Sequence, residues 1–238
     1  MSAFLYGVIL QWKLDLRNKG VILTYYVVPL LFFAFIGAIF TSINPTAKDS
    51  LIQSMTIFGI TMGAFLGTPT PLVELYGSDI VKAYKVGGIP IWMAAVNNFI
   101  SAFFHLFIMS IVIYLIAPIA FAAKVPQSTL YFFLSLAFFI VVCLAIGTVL
   151  GLFITDISKL TMFSQFIFLP SLMLSGIMFP VDMLPVVLQN VGKIFPATWA
   201  LMILVENELD LTLFLPLLFI LCLAVLASVY RLSRVGKE

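Results

Sequence analysis

His105 is the single histidine of the 238 residues, and it stands inside a long apolar stretch. A histidine in a membrane helix can relay a proton when a carboxylate lies beside it. No Asp, Glu, Lys or Arg occupies the centre of such a stretch here, so the expected state of His105 is packed, neutral and hydrogen-bonded. Asn97 and Asn98 share its stretch, and their amides suit bonds across helices or contact with a substrate. Ser175-Gly176 together with His105 offers a nucleophile and a base, the pair an intramembrane protease needs. The local sequence LMLSG lacks the glycine two residues before the serine that such enzymes carry. A phosphate-binding loop needs G-x-x-x-x-G-K-[ST]. Gly192-Lys193 and Gly236-Lys237 have neither the upstream glycine nor the following hydroxyl, so ATP is not bound by that route. Glu206, Glu208 and Asp210 read as a solvated lead-in to a helix rather than a metal site. Cys143 and Cys222 fall within apolar stretches and read as buried fillers, not a disulfide framework.

These groups must be positioned inside lipid. The chain is 63% apolar and 9% charged, where soluble domains average about 25% charged. Its mean hydropathy is +1.21. About 20 apolar residues cross the bilayer core, and six runs suffice: 21–42, 51–73, 91–117, 129–154, 160–179 and 211–231. The runs are continuous rather than alternating, which predicts helices and not a barrel. The expected fold is an all-α membrane protein. An N-terminal amphipathic interfacial helix (residues 1–19) precedes six transmembrane helices, and short re-entrant helices follow the fifth. One transmembrane domain fills residues 1–238.

Charge sets the expected orientation. With the N-terminus in the cytoplasm, Lys13, Arg17, Lys19, Lys82, Lys85, Lys159, Arg231, Arg234 and Lys237 lie inside, while Lys48, Lys124 and Lys193 lie outside. That distribution follows the positive-inside rule, and six spans return the C-terminus to the cytoplasm. The start of the chain has apolar residues before basic ones, the reverse of a cleaved signal. Within it Leu5, Ile9, Trp12 and Leu16 form one helical stripe, with Lys13 and Arg17 off it.

Gly59, Gly63 and Gly67 make a doubled GxxxG ridge, and Gly147 and Gly151 a second one, where helix backbones approach closely. Residues 74–90, ELYGSDIVKAYKVGGIP, combine charge with glycine breaks, and a short stiff helix is expected there. It reads either as a solvated loop or as a docking element for a cytoplasmic partner. Residues 180–200 hold Pro180, Pro185 and Pro196, each of which disfavours a straight helix. A pair of short helices re-entering the outer leaflet is expected.

Taken together the chain resembles the ABC-2 type transporter permease family, the transmembrane subunits of type V ABC exporters. The segment 172–199 is similar to the family's S-G-x-x-F-P-x-x-x-L-P-x-x-L-Q…P-x-T signature, through Ser175, Gly176, Phe179, Pro180, Leu184, Pro185, Leu188, Gln189, Pro196 and Thr198, with Trp199 following. Residues 74–90 stand at the family's coupling-helix position. The resemblance implies coupling contacts from Glu74, Tyr76, Asp79, Lys82, Tyr84 and Lys85. It implies pairing of two permease subunits, identical or not, above two copies of a separate cytoplasmic ABC ATPase. This chain would hold no cofactor; ATP and Mg would belong to the partner.

The function expected is therefore export of a hydrophobic or amphipathic substrate, a drug-like molecule or amphipathic peptide, across a bacterial-type plasma membrane. Twenty-four Phe and ten Met suit an adaptable apolar wall, with Asn97, Asn98 and His105 as polar candidates in it. No nucleic acid is expected as a partner. The alternatives are an ATP-independent channel or structural membrane subunit, and an intramembrane enzyme.

Overall fold

The computed structural model describes residues 3–43, 45–77, 81, 84, 86–206 and 210–235. The first helix, α1, is Ala3–Arg17. It stops at Asn18, whose extended backbone turns the chain and whose Oδ1 accepts from the Gly20 and Val21 amides, a typical side-chain cap. Then follow α2 (Lys19–Ile43), α3 (Leu51–Tyr76), α4 (Trp92–Phe121), α5 (Thr129–Phe153) and α6 (Ile157–Leu174), all long and apolar enough to cross a membrane. Two short helices, α7 (Val186–Gly192) and α8 (Pro196–Glu206), meet at 92°. The last crossing helix, α9, is Leu211–Val235. Among the described residues this makes an all-α membrane fold with six candidate spans and no strand.

Some limits differ from those expected. α4 runs on to Phe121, where Ala122 takes the left-handed conformation (φ 51°) and closes the helix with a bond to the Ala117 carbonyl. α6 ends at Leu174 rather than 179, because Gly176 turns the backbone with φ 90°, a conformation glycine adopts without strain.

The spans are not equally interior. The apolar window of α3 is 94% buried, against 11% for α9 and 28% for α2 and α6. α3 is therefore the hub, and α9 lies at the rim against α5. Burying polar groups of α3 is affordable because its threonines bond their own helix. Thr56 Oγ1 donates to the Ile52 carbonyl at 2.7 Å and Thr61 Oγ1 to the Ile57 carbonyl at 2.7 Å, the usual resort of hydroxyls in membrane helices.

Two prolines shape the hub. Pro29 and Pro69 lack the amide that would bond the carbonyl four residues back, and their rings crowd it. Just before each, the helix widens into a π segment, Leu23–Val27 in α2 and Gly63–Gly67 in α3. A π turn is one way a helix absorbs such a defect. The two wide segments touch, and Tyr25 from one lies over Gly63 and Gly67 of the other. The ridge continues at Gly59, which faces Met109 and Pro29. On the other side of α3, Gly147 of α5 abuts the Ala64 carbonyl, and Gly151 abuts Leu72 and the Pro69 carbonyl. Both glycine ridges are thus used within one chain. Cys143 is buried, but Cys222 faces outward from α9, so it fills no protein core.

A methyl group at position 147 would collide with backbone, which cannot step aside. Gly147→Ala should lower the thermal midpoint of the detergent-purified chain by an amount corresponding to about 1–3 kcal/mol, the usual range for overpacking. Cys222→Ala, on the outward face, should leave it unchanged in the same melt.

Candidate functional site

Three regions hold the residues singled out by sequence. The first is the seat of α1 on α4. Apolar Leu5, Ile9 and Leu16 of the expected stripe are exposed, while Asp15 is only 4% exposed. The protein-facing side of α1 is instead Gly7, Trp12 and Asp15. A side chain at Gly7 would strike the Asn97 amide. The Trp12 ring stacks on His105 with centroids 4.0 Å apart and planes 7° from parallel. The Asp15 carboxylate accepts from Gln11 Nε2 (2.9 Å) and from the Ser101 hydroxyl. Its pKa is raised, because burial outweighs those two hydrogen bonds.

His105 is fully buried. Its Nδ1 meets the Tyr26 hydroxyl at 2.8 Å, and its Nε2 has no hydrogen-bond partner but lies 4.0 Å from Asp15 Oδ2. The expectation of a histidine without a carboxylate is corrected here. The carboxylate comes from α1, outside the spans, and no count along the spans finds it. Asn98 Nδ2 donates to the Thr68 carbonyl at 3.3 Å, and Thr68 Oγ1 bonds the Tyr25 hydroxyl at 3.0 Å. Asn97 Oδ1 is buried without a partner. Asn97, Asn98 and His105 are thus packed between helices of one chain, beside α1 and α3.

The second region is the segment joining α3 to α4. Asp79, Lys82 and Lys85 lie outside the described residues. Glu74 and Tyr76 occupy the last turn of α3. The Tyr76 hydroxyl donates to the Ile91 carbonyl at 2.8 Å, which fastens the start of the segment to its end. Tyr84 and its neighbours Val81 and Val86 have helical backbone. The Tyr84 carbonyl accepts from the Ile89 amide at 2.9 Å across Gly88, whose φ is 64°. Glycine closes helical turns in this way.

The third region is the α6–α8 hairpin. Gly176 makes the first turn and Ser175 is buried beside it. Phe179 and Pro180 lead into a single turn of 3-10 helix, Val181–Met183. Gln189 Nε2 then donates to the Leu184 carbonyl at 2.8 Å, while Pro185 starts α7. Thr198 Oγ1 donates to the Gly192 carbonyl at 2.6 Å and Trp199 Nε1 to the Lys193 carbonyl at 2.7 Å. Those two bonds satisfy carbonyls at the end of α7 and set the bend ahead of α8, which Pro196 opens. The signature residues therefore act chiefly as turn formers and caps. Leu188 stays exposed.

Between this hairpin and the ends of α2 and α3 lies a cavity of about 640 Å³, walled by Phe40, Met55, Phe179 and Leu201, with the Ser54 hydroxyl and Asp182 as polar members. Its size falls within the roughly 300–1,000 Å³ of small-molecule sites. At the start of α9, Asp210 Oδ1 accepts from the Thr212 amide and hydroxyl, which lower its pKa. That is a helix cap. No cluster of three metal-ligating side chains occurs among the described residues.

The described residues thus form a bundle of apolar spans with an amphipathic helix on its flank, a fastened loop at one end and a capped hairpin at the other. The chain belongs to the ABC-2 type transporter family, whose pattern matches residues 3–209. As such it is the permease subunit of an ABC transporter, the transmembrane part rather than the ATPase, and a multi-pass membrane protein. No curated protein matches the chain.

Removing the Thr198 hydroxyl takes one of two hydrogen bonds from the buried Gly192 carbonyl, which keeps the Phe195 amide at 3.0 Å, at a typical net cost of about 0.5–1.5 kcal/mol. Thr198→Val should depress the melting temperature and expose the α7–α8 bend to limited proteolysis, while Thr198→Ser should behave as the parent.

Proposed function

We propose that this permease exports a hydrophobic or amphipathic substrate, a drug-like molecule or an amphipathic peptide, from a bacterial-type plasma membrane. Two copies, or one copy and a second permease, pair. Two copies of a separate cytoplasmic ABC ATPase bind beneath and supply the ATP and Mg chemistry. Both termini face the cytoplasm, in keeping with the nine-to-three division of Lys and Arg.

The observation that carries this reading is the family match over residues 3–209, which takes in α1, the segment after α3 and the hairpin together. Geometry supports it at three points. The Tyr76–Ile91 bond makes residues 77–90 a closed loop standing on two spans, so a push on the loop reaches α3 and α4 at once. The cavity under the hairpin is mostly apolar and offers one carboxylate, which suits a greasy or amphipathic cargo better than an ion or a sugar. A row of exposed apolar side chains on α6, including Phe163, Phe166 and Met173, supplies a surface on which a second permease would pack.

Coupling then consists of ATP-driven closure of the partner acting on residues 74–90 and on α1, with the spans shifting about the substrate path. Glu74, Tyr76, Asp79, Lys82, Tyr84 and Lys85 are the proposed contacts. A ligand biases such a switch only through different contacts in its two states.

Replacing residues 79–85 with a Gly/Ser stretch should leave the chain folded and its ATPase active while transport of a fluorescent amphiphile by reconstituted vesicles falls to background. Transport that survives the replacement refutes the coupling assignment. Conductance from the purified chain alone, with no ATPase present, would point to a channel instead.

A further inference from the structure

Asp15 and His105 form a buried pair that the export cycle described above does not use. The two groups come from different elements, α1 and α4. Around them the packing is close. Trp12 covers one face of the imidazole, Tyr25 approaches the ring at 5.6 Å between centroids, and the Tyr26 hydroxyl holds Nδ1. Ser101, on the same helix as His105, holds Asp15 Oδ2, the oxygen that faces Nε2. The titratable groups facing the pair are thus Tyr25 and Tyr26 from α2; α3 contributes the Thr68 hydroxyl through Tyr25.

A net charge in such surroundings is costly unless it is balanced close by. Asp15 ionised beside a neutral His105 leaves one uncompensated negative charge. One added proton makes the pair neutral overall, as carboxylate and imidazolium or as carboxylic acid and imidazole. Two interacting sites of this kind share their proton and titrate as a unit.

The local hydrogen bonds accommodate either state. With His105 neutral and its proton on Nε2, Tyr26 donates to Nδ1 and the Nε2–H is directed at Asp15. When a proton from water adds to Nδ1, the Tyr26 hydroxyl turns from donor to acceptor, and no partner is lost. The Nε2 that has no hydrogen-bond partner then carries positive charge 4.0 Å from Asp15 Oδ2.

We infer that Asp15 and His105 constitute a buried proton-binding site that clasps α1 to α4, with one bound proton holding the amphipathic helix against the third span. The sign follows from the charges. With the proton present, the pair is neutral and α1 is seated. As pH rises and the proton leaves, a lone carboxylate remains under α1 and the seat weakens. The raised pKa of Asp15, caused first by burial, is of the same sign: a group that binds protons more tightly when docked favours docking at low pH.

Trp12 reports on the site directly, since an imidazolium quenches a stacked indole more than neutral imidazole does. The chain has three tryptophans, so Trp92→Phe with Trp199→Phe leaves Trp12 as the only tryptophan, excited at wavelengths where tyrosine does not absorb. In the full chain in lipid nanodiscs, Trp12 emission should rise through a one-proton step between about pH 5 and 8, the range in which histidine changes charge. His105→Gln should abolish the step. Asp15→Asn, nearly the same shape, should move it by at least about tenfold in proton concentration, the least a neighbouring opposite charge contributes. Ser101→Ala leaves the carboxylate charged but removes a donor that lowers its pKa, so the step should move to higher pH. A flat profile in the Trp12-only chain overturns the inference, and so does a step that Asp15→Asn leaves in place. If Asp15→Asn does not assemble, a step that Ser101→Ala fails to shift upward is equally decisive. None of these readings requires an ATPase, so they stand apart from the export assignment.

Discussion

How near the backbone of α3 can come to its neighbours governs the rest of the bundle. In hydrocarbon, helices gain little from hiding apolar surface, because lipid tails solvate leucine as well as another helix does. Contact area and polar bonds have to hold the bundle instead. Gly59, Gly63 and Gly67 let α2 and α4 settle against α3 on one side, and Gly147 and Gly151 of α5 meet α3 carbonyls on the other. The result is a span almost wholly enclosed by protein. Its threonines then bond carbonyls of their own helix, so enclosure strands few polar groups.

The N-terminal half of α4 ties the working parts together. Ile91, just before its first turn, receives the Tyr76 hydroxyl and so anchors the connecting loop. A few turns on, Asn97, Ser101 and His105 present a polar stripe to α1. α1 answers with its few polar residues and leaves Leu5, Ile9, Leu10 and Leu14 outward. The protein-facing side of α1 thus mixes Phe4, Val8 and Trp12 with the buried Asp15, while Lys13 and Arg17 stay exposed. A movement of the inner end of α4 is felt by the loop and by α1 together.

The spans were legible because runs of about 20 apolar residues have few other uses. The hairpin was legible through Pro180, Pro185 and Pro196, which exclude a straight helix. Helix limits were less so: α6 stops at Leu174 because Gly176, three residues short of the expected end, adopts positive φ, and no hydropathy window registers that. Leu5, Ile9 and Leu16 of the apolar stripe of α1 are exposed, which suits an interfacial helix; what hydropathy did not register is the side of α1 that meets the protein. Asp15 was missed for a related reason. It falls outside every span, and its partner is 90 positions away in sequence; only packing joins them. A carboxylate in the last turn of a largely apolar amphipathic helix was the one available hint.

The paired π segments of α2 and α3 give the bundle a place to yield. Each contains a surplus residue relative to an α turn, held between glycines or beside a proline. Moving that surplus along the helix exchanges hydrogen bonds singly rather than all at once. Because the two wide turns lie against each other, with Tyr25 seated on Gly63 and Gly67, a creep of one register obliges the other to follow. The two defects are therefore shared across one contact, so neither span could change register there alone.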